Sequence, residues 1–111
     1  MQILVVKRSG GREPYLRDKL RAGISRACAK TLVSAEEIDD LVDSVENEMA
    51  TLGKREIPAA TMGELALKRL SKLDEVAYVR FASVYRQFQS IEDFVSELGN
   101  LKDKQTVHPS S

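Results

Sequence analysis

A chain of 111 residues with 17 Lys+Arg and 17 Asp+Glu can bury one core without disulfides or a structural metal, and its balanced charge argues against indiscriminate attraction to nucleic acid or membrane. The single cysteine, Cys28, and single histidine, His108, exclude a disulfide scaffold, a zinc ribbon and His-based catalytic pairs within the chain. No apolar run reaches membrane-spanning length, and Lys7 and Arg8 interrupt the first hydrophobic stretch before it can serve as a signal peptide, so a soluble cytoplasmic protein is expected.

Ile3 to Val6 is an unbroken aliphatic run that reads as a buried strand. Ser9-Gly10-Gly11 tolerates a tight turn, and Arg12 to Tyr15 returns as a short edge strand marked by Pro14. From Arg17 to Lys30 the pattern is helical, with Leu20, Ile24, Ala27 and Cys28 on one face. Gly23 interrupts this helix at a cost of about 1 kcal/mol against Ala. Close approach of a ligand or another helix would account for it, as would simple tolerance. Cys28, among apolar neighbours, reads as a small buried hydrophobe.

Ser34-Ala35-Glu36-Glu37 is a capping box, and the helix it opens carries Ile38, Leu41, Val42, Val45 and Met49 on one stripe before Gly53 ends it. Lys54 to Ile57 is short enough for a third strand, and Pro58 suits the first turn of a helix buried through Met62, Leu65, Ala66 and Leu70. Asp74 caps a helix expected to run from Glu75 to about Gln89. Val76, Val79, Ala82 and Arg86 share one side of it, and Ala77, Phe81, Val84, Tyr85 and Phe88 widen the apolar surface. Arg80 and Arg86 are exceptions there and need partners, for which the acids of Ser34–Met49 are candidates. Ser90 and Asp93 form a second capping box, opening an amphipathic helix through Ile91, Phe94, Val95, Leu98 and Leu101. Residues 102–111, with His108, read as a polar disordered tail outside a single domain over 1–101. The fold expected is α+β and mainly α: four or five helices with a two- to three-stranded N-terminal sheet as a lid.

Charge is unevenly spread. Eight cations against two acids lie between Lys7 and Lys30, and seven acids with no cation between Ser34 and Met49. Either the N-terminal face meets phosphates, or two helix faces attract one another. The acids are spaced as a solvated surface and lack histidine partners, so no metal site is expected there. Two cations at a strand end, a glycine turn, the carboxylate of Glu13 and Lys19 on the next helix suit an anion with several phosphates and a hydroxylated sugar.

Three stretches, VVKRSGGREPYLRDKL, KREIPAATMGELALKRL and LDEVAYVRFASVYRQFQSIEDF, resemble the ATP-cone domain across about residues 2–100. The last is similar to the cone of NrdR-type transcriptional repressors of ribonucleotide reductase genes. The resemblance implies a regulatory domain that binds ATP or dATP, with Mg2+ as an optional companion, beneath a small sheet. It implies backbone contacts from Val5, phosphate contacts from Lys7, Arg8 and Lys19, a ribose or cation contact from Glu13, and adenine packing by Leu20. Gly23 and Tyr85 would line the same cavity. It also implies a homo-oligomer whose assembly responds to nucleotide, with Tyr78, Phe81, Phe88 and Phe94 as either assembly surface or bundle core. Where the family usually has Asp, Asn or Ser this chain has Leu16, and where it often has Ser or Thr this chain has Ala59; neither can cap a helix or bond a ligand. The four-cysteine zinc ribbon through which such repressors bind DNA is not among these residues, so DNA would be a partner only through that part, and no zinc is expected here.

Two other functions stand beside the repressor cone as alternatives: the detached activity-regulating cone of a ribonucleotide reductase, and a nucleic-acid or protein interaction module without nucleotide gating. The second would need exposed aromatics interleaved with the basic face, and Tyr15 alone is thin support. Catalysis is not expected. KRSGG lacks the order of a Walker A loop, and no base–nucleophile pair is present.

Overall fold

The computed structural model describes residues 2–106. Strands β1 (Leu4–Val6) and β2 (Arg12–Pro14) precede helices α1 (Arg17–Ala27) and α2 (Ala35–Thr51); β3 (Glu56–Pro58) then leads into α3 (Ala59–Leu73), α4 (Glu75–Tyr85) and α5 (Ile91–Thr106). The sheet order is β2-β1-β3, with β1 antiparallel to β2 and parallel to β3. This is the expected mainly-α α+β fold, a helical bundle with a small mixed sheet at its N-terminal edge.

The β1–β2 turn closes because Gly10 takes φ +94°, a region open to glycine, while the backbone of Lys7 bonds Gly11 and Gly10 at 2.8 Å each. Val5 pairs with Glu13 on one side and Ile57 on the other. In strands this short only the central side chain points inward, so Val5 and Ile57 are what β1 and β3 add to the core. A parallel pair cannot be closed by a tight turn, and β2, α1 and α2 together make the crossover.

Below the sheet the core is built from Leu20 and Ile24 of α1, Val42 and Val45 of α2, Leu67 and Leu70 of α3, and Tyr78 and Phe81 of α4. Both halves of the Ser34–Glu37 capping box form, at 3.1 and 2.9 Å, and Gly53 takes φ +66° just beyond α2, as the sequence led us to expect. The basic and acidic halves meet as complementary helix faces. Arg17 pairs with Asp43 at 2.8 Å and Glu46 at 2.6 Å, Arg21 with Asp39 at 2.6 Å, and Arg69 with Glu48 at 2.7 Å. Cys28 is buried, and that burial pushes its thiol up, away from the reactive thiolate.

Several expectations are corrected. The first helix ends at Ala27 instead of Lys30: Cys28 is its C-cap, still in the right-handed region, and Lys30 turns to φ +66°. Arg80 caps that end, donating to the carbonyls of Ala27 (3.1 Å) and Ala29 (2.6 Å), and Arg86 pairs with Glu64 and Glu97; neither meets an acid of Ser34–Met49. α4 does pack centrally, against α1, α3 and α5, but Val76 and Val84 face solvent while Ala77, Tyr78, Phe81 and Ala82 face inward. Tyr78 and Phe81 are therefore core and not assembly surface. Among the described side chains of α5 the buried positions are Glu97 and Leu101, whereas Ile91, Val95 and Leu98 are exposed. α5 runs to Thr106, so the segment 102–106, expected as tail, is helical; residues 107–111, with His108, lie outside the described residues.

Candidate functional site

The sheet does not seal onto the bundle everywhere. Between it and α1, α3 and α4 lies a cavity of about 580 Å³, inside the range of roughly 300–1,000 Å³ usual for small-molecule sites. β1, β2 and the turn after β1 supply Val5, Arg8 and Glu13; α1 supplies Lys19, Leu20, Gly23 and Arg26; α4 supplies Arg80, Phe81 and Tyr85. The first turn of α3 enters through Ala59 and Ala60.

Seven of the eight residues singled out from the sequence line this one cavity: Val5, Arg8, Glu13, Lys19, Leu20, Gly23 and Tyr85. Lys7 does not. Its backbone closes the β1–β2 turn, and its side chain is exposed outside the cavity lining. Lys19 reaches both carboxylate oxygens of Glu13 at 3.2 Å, which positions the ammonium at the rim between β2 and α1. Arg8 reaches across to donate to the carbonyl of Tyr85 at the end of α4.

Two further cations, Arg26 and Arg80, line the cavity without having been singled out as ligand contacts. Arg26 was legible: Lys19, Gly23 and Arg26 stand at i, i+4 and i+7, one face of one helix. Arg80 was not, because only the packing of α4 on α1 decides which way that side of α4 looks.

The lining divides by chemistry. Leu20, Val5, Phe81 and the Tyr85 ring make an apolar surface, on which Tyr85 stacks with Phe81 at 4.3 Å between centroids and 23° between planes. Burial pushes the Tyr85 phenol up, so it is a neutral hydroxyl at physiological pH. Arg8, Lys19, Arg26 and Arg80 make a cationic side in which Glu13 is the only carboxylate. Helices α1 and α3 both begin at the cavity, and their N-cap residues, Leu16 and Pro58, make no side-chain cap. Uncapped first-turn N–H groups and the positive end of each helix favour an anion at that spot. Leu16, 57 % exposed, caps nothing. An apolar slot beside a cluster of cations and helix N-termini is complementary to a flat heterocycle carrying phosphates. Among the described residues no group of His, Cys, Asp or Glu is placed to hold a metal ion, and no helix is long and apolar enough to cross a membrane.

Comparison with known proteins places these elements in a family. The ATP cone domain pattern matches residues 3–91, a stretch that contains every cavity-lining residue. The chain is 51 % identical over 102 residues to the transcriptional repressor NrdR of Listeria welshimeri, covering 92 % of this chain and 66 % of that protein. It is 52 % identical over 101 residues to the NrdR of Thermosynechococcus vestitus, covering 91 % and 62 %. With the NrdR of Desulfosudis oleivorans it shares 46 % identity over 103 residues, covering 93 % and 68 %. It thus spans about two thirds of the length of these relatives, whose common name is that of a regulator and not of an enzyme. The chain belongs to the ATP cone domain family.

Proposed function

We propose that this chain is a nucleotide-sensing regulatory domain that takes ATP or dATP into the cavity beneath its sheet and serves the transcriptional control of ribonucleotide reductase genes. The observation that carries this reading is the convergence of Arg8, Lys19 and Arg26 with two uncapped helix N-termini beside an apolar slot. Leu20 and Phe81 would hold the base, Glu13 the sugar hydroxyls, and the cations the phosphates; Mg2+ would travel with the triphosphate. The basic face offers less to a nucleic-acid module, because Arg12, Arg17 and Arg21 are already paired with carboxylates. DNA contact belongs instead to the zinc ribbon that accompanies such cones in repressors, in a cytoplasmic setting.

The output is nucleotide-dependent assembly. Exposed Ile91, 74 % accessible, with Val95 and Leu98, offers an apolar surface on α5 that a second copy would cover. ATP and dATP shift such an equilibrium only if they bind the assembled forms unequally.

Calorimetric titration with ATP and dATP, with light scattering on the same samples, tests both levels. Lys19→Ala is expected to weaken ATP binding by about tenfold or more, the loss of one charge-assisted bond. Its thermal midpoint should stay close to the parent's, because Lys19 is solvent-exposed and its ion pair with Glu13 is a surface one. Undiminished ATP affinity in that variant would place the phosphates elsewhere.

A further inference from the structure

The end of α4 serves two neighbours at once. The chain leaves the helix at Gln87, φ +52°, and the terminal carbonyls are taken up in order: Ala82 by the Arg86 N–H (2.7 Å), Ser83 by the Phe88 N–H (3.0 Å) and Val84 by the Gln87 N–H (3.3 Å). The next carbonyl is that of Tyr85. Its helical donor would be the N–H of Gln89, which instead donates to the Asp93 carboxylate at the start of α5, at 2.7 Å. Arg8, arriving from the β1–β2 turn, donates to the Tyr85 carbonyl in its place.

One residue further on, Arg86 fastens α5. It donates to both carboxylate oxygens of Glu64 on α3, at 3.0 and 2.8 Å, and to Glu97 of α5, which also accepts from the Tyr78 hydroxyl. Glu97 is 4 % exposed, and a carboxylate that deep holds its place only while its donors hold theirs. Since Ile91, Val95 and Leu98 face outward, Glu97 and Leu101 are the buried anchors of α5 among its described side chains.

We propose that Arg8 is shared between the cavity and the α4–α5 joint, so that a polyphosphate engaging Arg8 loosens the docking of α5. This rests on the nucleotide reading given above. The direction follows from charge: the cationic guanidinium is the donor in both bonds, but a phosphate adds a full negative charge and can take the planar fork bidentately, so the phosphate wins Arg8. The Tyr85 carbonyl is then left to water, the terminal turn of α4 loses its outside tie, and Arg86 loses the fixed backbone from which it holds Glu97.

Linkage makes the coupling reciprocal: if ATP loosens α5, then loosening α5 tightens ATP. Two variants of different chemistry probe this from outside the cavity, Glu97→Gln and Leu101→Ala. Both are expected to raise ATP affinity, by about fivefold or more. In the unmutated chain, amide hydrogen exchange in α5 is expected to speed up at saturating ATP, at a concentration where scattering mass is the same with and without nucleotide. ATP that binds by calorimetry while α5 exchange stays unmoved overturns this inference and leaves the nucleotide reading standing, as does unchanged affinity in both variants. Absence of any binding heat from ATP or dATP overturns both readings.

Discussion

A Cβ added at Gly63 would lie 2.5 Å from Cδ1 of Tyr85, and the ring cannot simply swing away because it is stacked on Phe81. Gly63 is what lets the α3 backbone sit against the ring that walls the cavity. Gly63→Ala should therefore cost about 1–3 kcal/mol of overpacking, only partly offset by about 1 kcal/mol of helix propensity. Gly23 differs. A Cβ there meets Cε1 of Phe81 at 3.7 Å, an ordinary contact, so packing does not demand glycine. Gly23→Ala is expected to stabilise the fold by about 0.5–1 kcal/mol and, because Gly23 lines the cavity, to weaken ATP binding. Denaturant unfolding and calorimetry on the two variants check the pair. If both glycines moved stability the same way, the assignment of one to packing and the other to the cavity would fail.

At the scale of the element, α4 is shortened by its own ending. A bond from Phe88 to Ser83 and another from Gln87 to Val84 make a Schellman motif whose left-handed residue is Gln87, where glycine is the usual choice. A glutamine at φ +52° bears a Cβ penalty of about 1–2 kcal/mol. Gln87→Gly removes the penalty and adds unfolded-state entropy of about 0.4–1 kcal/mol against itself, so a net gain near 1 kcal/mol is expected in chemical denaturation. A loss of stability on this change would show that the Gln87 side chain contributes more than its backbone costs. The capping signal after this turn is only half literal. Ser90 Oγ does accept from the Asp93 N–H at 3.3 Å, yet the Asp93 carboxylate reaches back to Gln89 and not to Ser90.

For the whole molecule the ion pairs of α2 set the acid limit. The hydrogen bond from Arg21 holds the Asp39 carboxyl below its ordinary 3.8, and that from Arg69 holds Glu48 below 4.5. A carboxylate whose folded-state pKa is depressed contributes stability above its unfolded pKa and loses it as pH falls through the folded value. Thermal midpoints should thus be level from neutral pH down to about pH 5 and fall below about pH 4. Arg21→Gln together with Arg69→Gln should flatten that fall, and salt should do so only in part because the pairs are half-buried. An acid limb identical in parent and double variant would remove these pairs as its cause.

What the sequence by itself determined is whatever depends on neighbours along the chain. The 3.6-residue stripes of α1, α2 and α3, the Ser34–Glu37 box, the glycine turn after β1 and the short third strand are local patterns. Each element formed there with its ends shifted: α1 stops at Ala27, and β3 takes in Pro58, which caps α3 instead of opening its first turn. Part of the cavity lining was legible for the same reason, since Arg8, Glu13 and Lys19 lie within one short hairpin-and-helix segment that folds on itself. Tertiary structure decided the rest. α4 is apolar nearly all round, so composition could not say that Val76 and Val84 face out and Tyr78 in; the contacts with α1, α3 and α5 chose the face. The partners of Arg80 and Arg86 are carbonyls at and beyond the end of α1 and carboxylates on α3 and α5, and Gly63 matters only because Tyr85 folds back over it. Opposite charges pair with whichever partner the packing brings near, and that proximity is a property of the bundle and not of any segment within it.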